Sequence, residues 1–207
     1  MMGKTHIAVG IATAFAIMHP KTMQEFIIST VGGSIGGVMA DIDVKIDTRN
    51  KFAAKASLDA LYGEILAIAI SATALTANYF TGGTILQGMT ENIPKFIIGT
   101  VLLIALIIIG EISKHRDRTH SIAAWGLFSI SVFLIEPHIG IAFAIGYGSH
   151  LLIDLLNKSP IRLLYPLKKG FCLKLCYADR LGNELILIIG AVFIVSYIFY
   201  ILCSNRL

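Results

Sequence analysis

Seven apolar segments, separated by short polar stretches, constrain this chain more than any other feature. The segment from 94–112 consists almost entirely of Ile, Leu and Val and is long enough to cross a bilayer as a helix. The chain is 56% hydrophobic and only 14% charged, which is too little charge for a typical soluble domain. The runs also lack the polar–apolar alternation of membrane barrels. The sequence therefore predicts an all-α, polytopic membrane protein with about 5–7 membrane helices, as a single domain over residues 1–207.

The apolar pattern predicts the positions of the helices, and it indicates one surface where two helices pack closely. The second segment carries Gly32, Gly33, Gly36 and Gly37, two overlapping small-xxx-small patterns that let another helix approach closely in lipid. The first two segments are short, so we expect them to be tilted or only partly inserted. The expected helices are 5–18, 23–39, 58–80, 94–112, 122–135, 139–156 and 184–203.

The distribution of basic residues predicts the orientation. If all seven segments cross, fourteen of the seventeen Lys and Arg residues lie on one side, in 1–5, 41–57, 113–121 and 157–183. Lys21, Lys95 and Arg206 lie on the other side. Basic loops stay in the cytoplasm, which places the N-terminus inside and the C-terminus outside. The same rule accounts for the net charge of +4, so no direct nucleic-acid binding is expected.

Candidate metal ligands fall on this same predicted cytoplasmic side. His150 and Asp154 are four residues apart and share a helix face, where they form a metal-binding pair or only a hydrogen bond. His115 and His120 are five apart, so they converge only if the chain turns between them; the alternative is a solvated loop. Other candidates near the same helix ends are His6, Asp41, Asp43 and, as an extra ligand, Glu184.

Each remaining candidate has a plain alternative. Asp41 and Asp43 follow a helix end, where a carboxylate gains nothing from the helix dipole, so ligation competes with a polar loop. Glu184 opens a helix, where an acid also stabilises the dipole. Arg116 and Arg118 suit phosphate recognition, although they also supply topology-setting charge.

The cysteines predict no disulfides. Cys172, Cys176 and Cys203 make an odd number without framework spacing. Cys172 and Cys176 are four apart, so metal binding by this pair is the alternative to ordinary apolar packing.

Four short motifs in order resemble the YdjM-like family. They are G-K-T-H (3–6), D-I-D (41–43), H-R-x-x-T-H-S (115–121) and S-H-x-x-x-D (149–154), followed by Pro166. The family comprises bacterial and archaeal inner-membrane proteins described as predicted metal-dependent hydrolases, some of them regulated by or associated with the LexA repressor. The last motif is also similar to one in the zinc-dependent phospholipase C and P1 nuclease group.

The resemblance implies a membrane-embedded hydrolase-like domain with one metal site. This chain departs from the family pattern at Ala40, where Pro is frequent, and at Asp117, where Gly is frequent, but neither departure removes a ligand. The implied ligands are His6, Asp41, Asp43, His115, His120, His150 and Asp154.

The leading hypothesis is a metal-dependent hydrolase of a lipid or amphiphilic phosphoester at the cytoplasmic membrane interface. One to three divalent ions, with Zn²⁺ favoured, would activate water. Arg116 and Arg118 would stabilise phosphate charge, and Ser121 and Ser149 would donate hydrogen bonds around the site. The alternative is a non-enzymatic membrane protein, either a metal-ion transporter or a regulatory partner, with a transported or structural ion.

Overall fold

The computed structural model describes residues 2–45, 51–85, 91–113, 115–175 and 181–203, and seven α-helices dominate these ranges. The prediction of an all-α fold is confirmed. Arg49, Lys114, Cys176, Arg180 and Arg206, which entered the sequence predictions, lie outside the described residues. The helices are α1 (Gly3–Met18), α2 (Met23–Met39), α3 (Lys51–Phe80), α4 (Ile93–Glu111), α5 (Ile122–Ile135), α6 (Pro137–Leu156) and α7 (Leu181–Cys203), with a 3₁₀ turn at Ala40–Asp43.

Five stretches of the described helices are long and apolar enough to cross a membrane: Met23–Asp43, Ala54–Phe80, Ile93–Glu111, Pro137–Leu156 and Leu181–Cys203. Helices α1 and α5 are also apolar, but they have only 16 and 14 residues. A helix needs about 20 residues to cross the hydrocarbon core without help from its neighbours. The structure is therefore that of a multi-pass helical membrane protein.

Local sequence signals explain several helix starts. Thr22 and Glu25 form a capping box at the start of α2, and Pro94 occupies the first turn of α4. Helix α3 begins at Lys51, seven residues before the predicted start at 58. The residues between contain neither Gly nor Pro and include several Ala and Lys, which favour helix. The predicted start of α3 at residue 58 therefore lies too far along the chain.

Helix α2 lies at the centre of the bundle, with 72% of its membrane-length window buried inside the protein. Its glycines face two different neighbours. A methyl group on Gly33 would lie 2.8 Å from the carbonyl oxygen of Gly10 in α1, and one on Gly32 would lie 2.7 Å from that of Ile139 in α6. The small-xxx-small prediction is confirmed on both faces. Close packing of α1 and α6 against α2 is what brings their polar residues together.

Candidate metal centre

Seven of the eight predicted metal ligands converge at one end of the bundle. The N-terminus of α1 supplies His6, the 3₁₀ turn after α2 supplies two carboxylates, and the C-terminal half of α6 supplies His150 and Asp154. The linker between α4 and α5 adds two more histidines. These residues form three overlapping groups that could hold a metal ion: His6, His150 and Asp154; Asp41, His120 and His150; and Asp43, His115 and His120.

The centre of the cluster consists of four donor atoms from three parts of the fold. His120 Nε2 lies 3.3 Å from His150 Nε2, 3.4 Å from Asp41 Oδ1 and 3.6 Å from Asp154 Oδ2. His150 Nε2 lies 3.7 Å from Asp41 Oδ1 and 4.0 Å from Asp154 Oδ2. Ligands about 2.0–2.1 Å from a tetrahedral Zn²⁺ are separated by about 3.3–3.4 Å. The observed spacing is close to that of a zinc ligand set.

A backbone hydrogen bond fixes the tautomer of His150. Its Nδ1 lies 2.7 Å from the carbonyl oxygen of Gly37, which can only accept, so the Nδ1–H donates. In the neutral ring, Nε2 then carries a lone pair that faces the central donors. Metal-ligating histidines commonly donate their other ring N–H to a carbonyl or a carboxylate in this way.

A second chain of hydrogen bonds orients His120. The Thr119 hydroxyl donates to Asp43 Oδ2 over 2.6 Å, so its oxygen is available to accept from His120 Nδ1 at 3.1 Å. That tautomer also turns a lone pair on Nε2 towards the centre. Tyr147 in turn donates to the Thr119 carbonyl oxygen over 2.6 Å, which anchors this part of the linker to α6.

The electrostatics of His120 show that the centre favours a positive charge. Burial lowers the pKa of His120, but the nearby carboxylates of Asp41 and Asp43 outweigh it and raise the pKa to about 9. Without a metal ion, a proton on His120 supplies the charge that these carboxylates favour. A divalent cation would supply more positive charge than this proton does.

His6 offers the clearest test of whether the residues fit a metal ion. Its ring stacks on His150 with centroids 3.7 Å apart, and the side chain is completely buried. Neither ring nitrogen has a hydrogen-bond partner among the described residues, although Nε2 is 3.5 Å from Asp154 Oδ1. Leaving a buried polar atom without a partner costs about 1–3 kcal/mol. A bound cation between His6 and Asp154 would satisfy this nitrogen, so the residues fit a metal ion.

The group of Asp43, His115 and His120, which lies nearest the exterior, is held together mainly by hydrogen bonds. Asp43 accepts from the backbone N–H of Arg116 over 3.0 Å, and its Oδ1 lies 2.8 Å from His115 Nδ1. The His115 side chain is 41% exposed, whereas the Asp43 side chain is fully buried. His115 therefore marks the side of the cluster that is open to the exterior.

The two predicted arginines have different surroundings. Arg116 has a left-handed backbone (φ 65°), which turns the linker so that His115 and His120 can both face Asp43. Its Nη2 lies 3.4 Å from Asp154 Oδ2, and its Nη1 donates to the Ser159 carbonyl oxygen over 2.9 Å. The Arg118 guanidinium instead lies 6.0 Å from the centre of the Tyr165 ring. Arg116 therefore contacts the candidate metal ligands directly, through Asp154.

Three predicted residues have other partners. Glu184 lies outside the three groups and is 3.5 Å from Lys4 Nζ, so its role as a ligand stays a prediction. The Ser121 hydroxyl donates to the Arg118 carbonyl oxygen and caps α5, and that of Ser149 donates to the Gly146 carbonyl oxygen. Both hydroxyls bond the local backbone here, and their role as hydrogen-bond donors around the site stays a prediction.

Sequence reasoning also missed Thr119, Tyr147 and the carbonyl of Gly37. Thr119 stands beside His120 inside the linker motif, so its position was a usable signal. Tyr147 is three residues before His150 and shares its helix face. No sequence pattern identifies a backbone carbonyl as a partner for a distant histidine.

Comparison with known proteins gives one informative match. No curated protein and no solved structure matches the chain. A family model described as YdjM inner membrane protein matches residues 1–206, which is nearly the whole sequence. The chain therefore belongs to the YdjM inner membrane protein family.

Proposed function

We propose that this chain is a metal-dependent hydrolase that acts on a phosphoester of a lipid or another amphiphile at the membrane interface. The observation that carries the proposal is that His120 Nε2 and His150 Nε2 lie 3.3 Å apart and that each lies 3.4–4.0 Å from Asp41 Oδ1 and Asp154 Oδ2. Buried histidines and carboxylates inside a membrane protein are costly, which favours a functional role.

The donor set favours zinc over harder cations. His120 and His150 provide imidazole nitrogens, which suit Zn²⁺, whereas Mg²⁺ and Ca²⁺ prefer oxygen ligands alone. When bound, Zn²⁺ supplies Lewis-acid chemistry and lowers the pKa of water so that it is nucleophilic near neutral pH. His6 and Asp43 extend the donor set on either side of the centre, so two or three ions are compatible with the proposal.

The chain's own side chains would receive the phosphate from the open side. Arg116 joins the partly exposed His115 to the buried Asp154, and its side chain is 18% exposed. A guanidinium at this position can bind phosphate oxygens and stabilise developing negative charge. Arg118, two residues further along the chain, is exposed and can attract an anionic headgroup. The positive-inside bias supports a site that faces the cytoplasm.

A second candidate function is that the ion is structural. The central group offers four protein donors, and a site filled by four protein ligands leaves no open position for a substrate or for water. In that case the ion would tie together the turn after α2, the linker between α4 and α5, and α6, and the protein would be non-enzymatic, either a transporter or a regulatory partner. The two functions differ in whether removal of the ion abolishes a reaction.

A hydrolysis assay on the full chain in lipid nanodiscs tests the proposal. Wild type is incubated with phosphoester lipids before and after chelator treatment, and again after Zn²⁺ is restored, beside His150→Ala and His138→Ala. We expect hydrolysis that disappears with the chelator and in His150→Ala, but not in His138→Ala. The His138 side chain is 71% exposed and bonded to Glu136, so it serves as the control. Hydrolysis that is indifferent to chelation overturns the mechanism, and bound metal without hydrolysis favours a structural ion.

A further inference from the structure

The segment 157–175, which follows α6, combines basic charge with exposed leucines. It contains no Asp or Glu, and its basic residues are Lys158, Arg162, Lys168, Lys169 and Lys174. None of the proposed chemistry uses the three lysines from 168 onwards. We refer to 157–175 as the basic segment.

The basic segment is folded back on the ends of two helices. Ile161 and Phe171 exchange two backbone hydrogen bonds of 3.0 and 2.9 Å, which close a hairpin-like loop. The Leu163 carbonyl oxygen accepts from Ile122 at the start of α5, and the N–H of Leu175 donates to Leu156 at the end of α6. Since α6 is a candidate membrane span that ends at Leu156, the segment lies at the membrane face where that helix emerges.

The exposed surface of this segment is apolar as well as basic. Leu164, Leu167, Leu173 and Leu175 have 43–69% of their surface exposed. They are interspersed along the chain with the exposed side chains of Lys168, Lys169 and Lys174. Leucines and lysines side by side at a membrane face match the interfacial region, where apolar side chains enter the acyl boundary and ammonium groups meet headgroups.

We propose that the basic segment is a binding surface for anionic phospholipid headgroups, with its exposed leucines inserted at the bilayer interface. The absence of acidic residues from the segment gives charge complementarity to a surface of negative lipids. Each lysine near such a surface strengthens binding by about fivefold. Three lysines together are thus sufficient for a measurable preference over zwitterionic lipids. The proposal does not depend on hydrolase activity.

The structure indicates which residues to vary. Arg162 pairs with Asp117 at 2.8 Å, and the Ser159 carbonyl oxygen accepts from Arg116, so both belong to the support of the metal centre. The test variant is therefore Lys168→Gln, Lys169→Gln and Lys174→Gln together. The control is Lys21→Gln with Lys95→Gln, which removes two of the basic residues predicted to lie on the opposite membrane face.

The experiment measures the contact of Leu167 with lipid. A bimane label is placed by Leu167→Cys after Cys172, Cys176 and Cys203 are changed to Ser. The full chain is reconstituted in nanodiscs of brominated phosphatidylcholine, alone or mixed with brominated phosphatidylglycerol. We expect at least twofold stronger quenching with the anionic lipid, loss of that difference in the triple Gln variant and its retention in the control.

Three outcomes would overturn the proposal. Equal quenching in both lipid mixtures shows contact without headgroup selectivity. An undiminished difference in the triple variant removes the lysines from the interaction. Absence of quenching in either lipid shows that the segment stands away from the bilayer and leaves the face free for an acidic protein. Equal thermal unfolding and monodisperse elution of all variants establish that each one is folded.

Discussion

The Nε2 atoms of His120 and His150 lie 3.3 Å apart, although 30 residues separate the two histidines in sequence. Each ring uses its Nδ1 in a hydrogen bond, His150 with Gly37 and His120 with Thr119. The two Nε2 atoms therefore face one another and two carboxylates. A metal ion between them would accept a lone pair from each Nε2 and offset the negative charge of both carboxylates.

The first prediction concerns these two histidines. His120→Ala and His150→Ala should each abolish stoichiometric binding of a transition metal, because each removes one of four central donors. The measurement is elemental analysis of purified protein. His138→Ala should bind as much metal as wild type does, since His138 contacts Glu136 instead of the centre. Full metal content in both of the first two variants would rule out the proposed centre.

The second prediction concerns Thr119, which connects His120 to Asp43. Thr119→Val removes the hydroxyl and should weaken metal affinity by about 10–100-fold, the usual effect of losing a partner that orients a ligand. Thr119→Ser keeps the hydroxyl and should retain most of the affinity. Chelator competition measures both. If valine and serine behave alike, the hydrogen bonds through Thr119 at 2.6 and 3.1 Å do not orient His120 in solution.

The sequence contains enough information for the fold and for most of the cluster, for identifiable reasons. Continuous apolar runs specify membrane helices, and the spacing of His150 and Asp154 places both on one helix face. His115 and His120 were harder, because their convergence depends on a turn at Arg116 with φ 65°, which no local pattern requires of an arginine. The Gly37 carbonyl was beyond sequence reasoning, because its role depends on how α2 and α6 pack.

The helix boundaries also include one that a local sequence signal predicts and one that such signals missed. The first turn of α4 was predicted at Pro94, since Pro fits there and not in a helix interior. The start of α3 at Lys51 was missed because polarity was interpreted as a loop. Charged residues can begin a membrane helix at the interface while its apolar part spans the core.

The third prediction concerns Gly37 in α2, whose backbone contacts His6 of α1 and His150 of α6. A methyl group there would lie 2.5 Å from the carbonyl oxygen of His6, and backbone atoms cannot move aside as a flexible side chain can. Gly37→Ala should therefore destabilise the fold by about 1–3 kcal/mol and lower the unfolding temperature by several degrees. Metal affinity should fall as well, because His6 is displaced.

Gly126 in α5 provides the control for Gly37. A methyl group on Gly126 meets no atom within 4 Å among the described residues, so Gly126→Ala should leave metal binding unchanged. Its unfolding temperature should stay level or rise slightly, since Ala favours helix. Equal unfolding temperatures for Gly37→Ala and wild type would contradict the close packing of α1 on α2.

The fourth prediction separates the two arginines. Arg116→Lys cannot reach both Asp154 and the Ser159 carbonyl oxygen with a forked guanidinium, so kcat/KM for a phosphoester should fall at least about tenfold. Arg118→Lys keeps its charge at an exposed position and should reduce kcat/KM less. Both variants should keep the wild-type metal content. Equal losses of kcat/KM would remove the special role assigned to Arg116.

The fifth prediction concerns metal removal and stands whether the ion is catalytic or structural. Because a ligand that binds only the folded state adds its binding free energy to stability, chelated protein should unfold at a lower temperature than protein as purified. Zn²⁺ should restore the unfolding temperature, whereas Mg²⁺ should not, since the central donors include two imidazole nitrogens. The measurement is thermal unfolding in detergent, with His150→Ala as the variant that should not respond to Zn²⁺. If Mg²⁺ restores wild type as well as Zn²⁺ does, the ion is held by the carboxylates, and the histidines have another role.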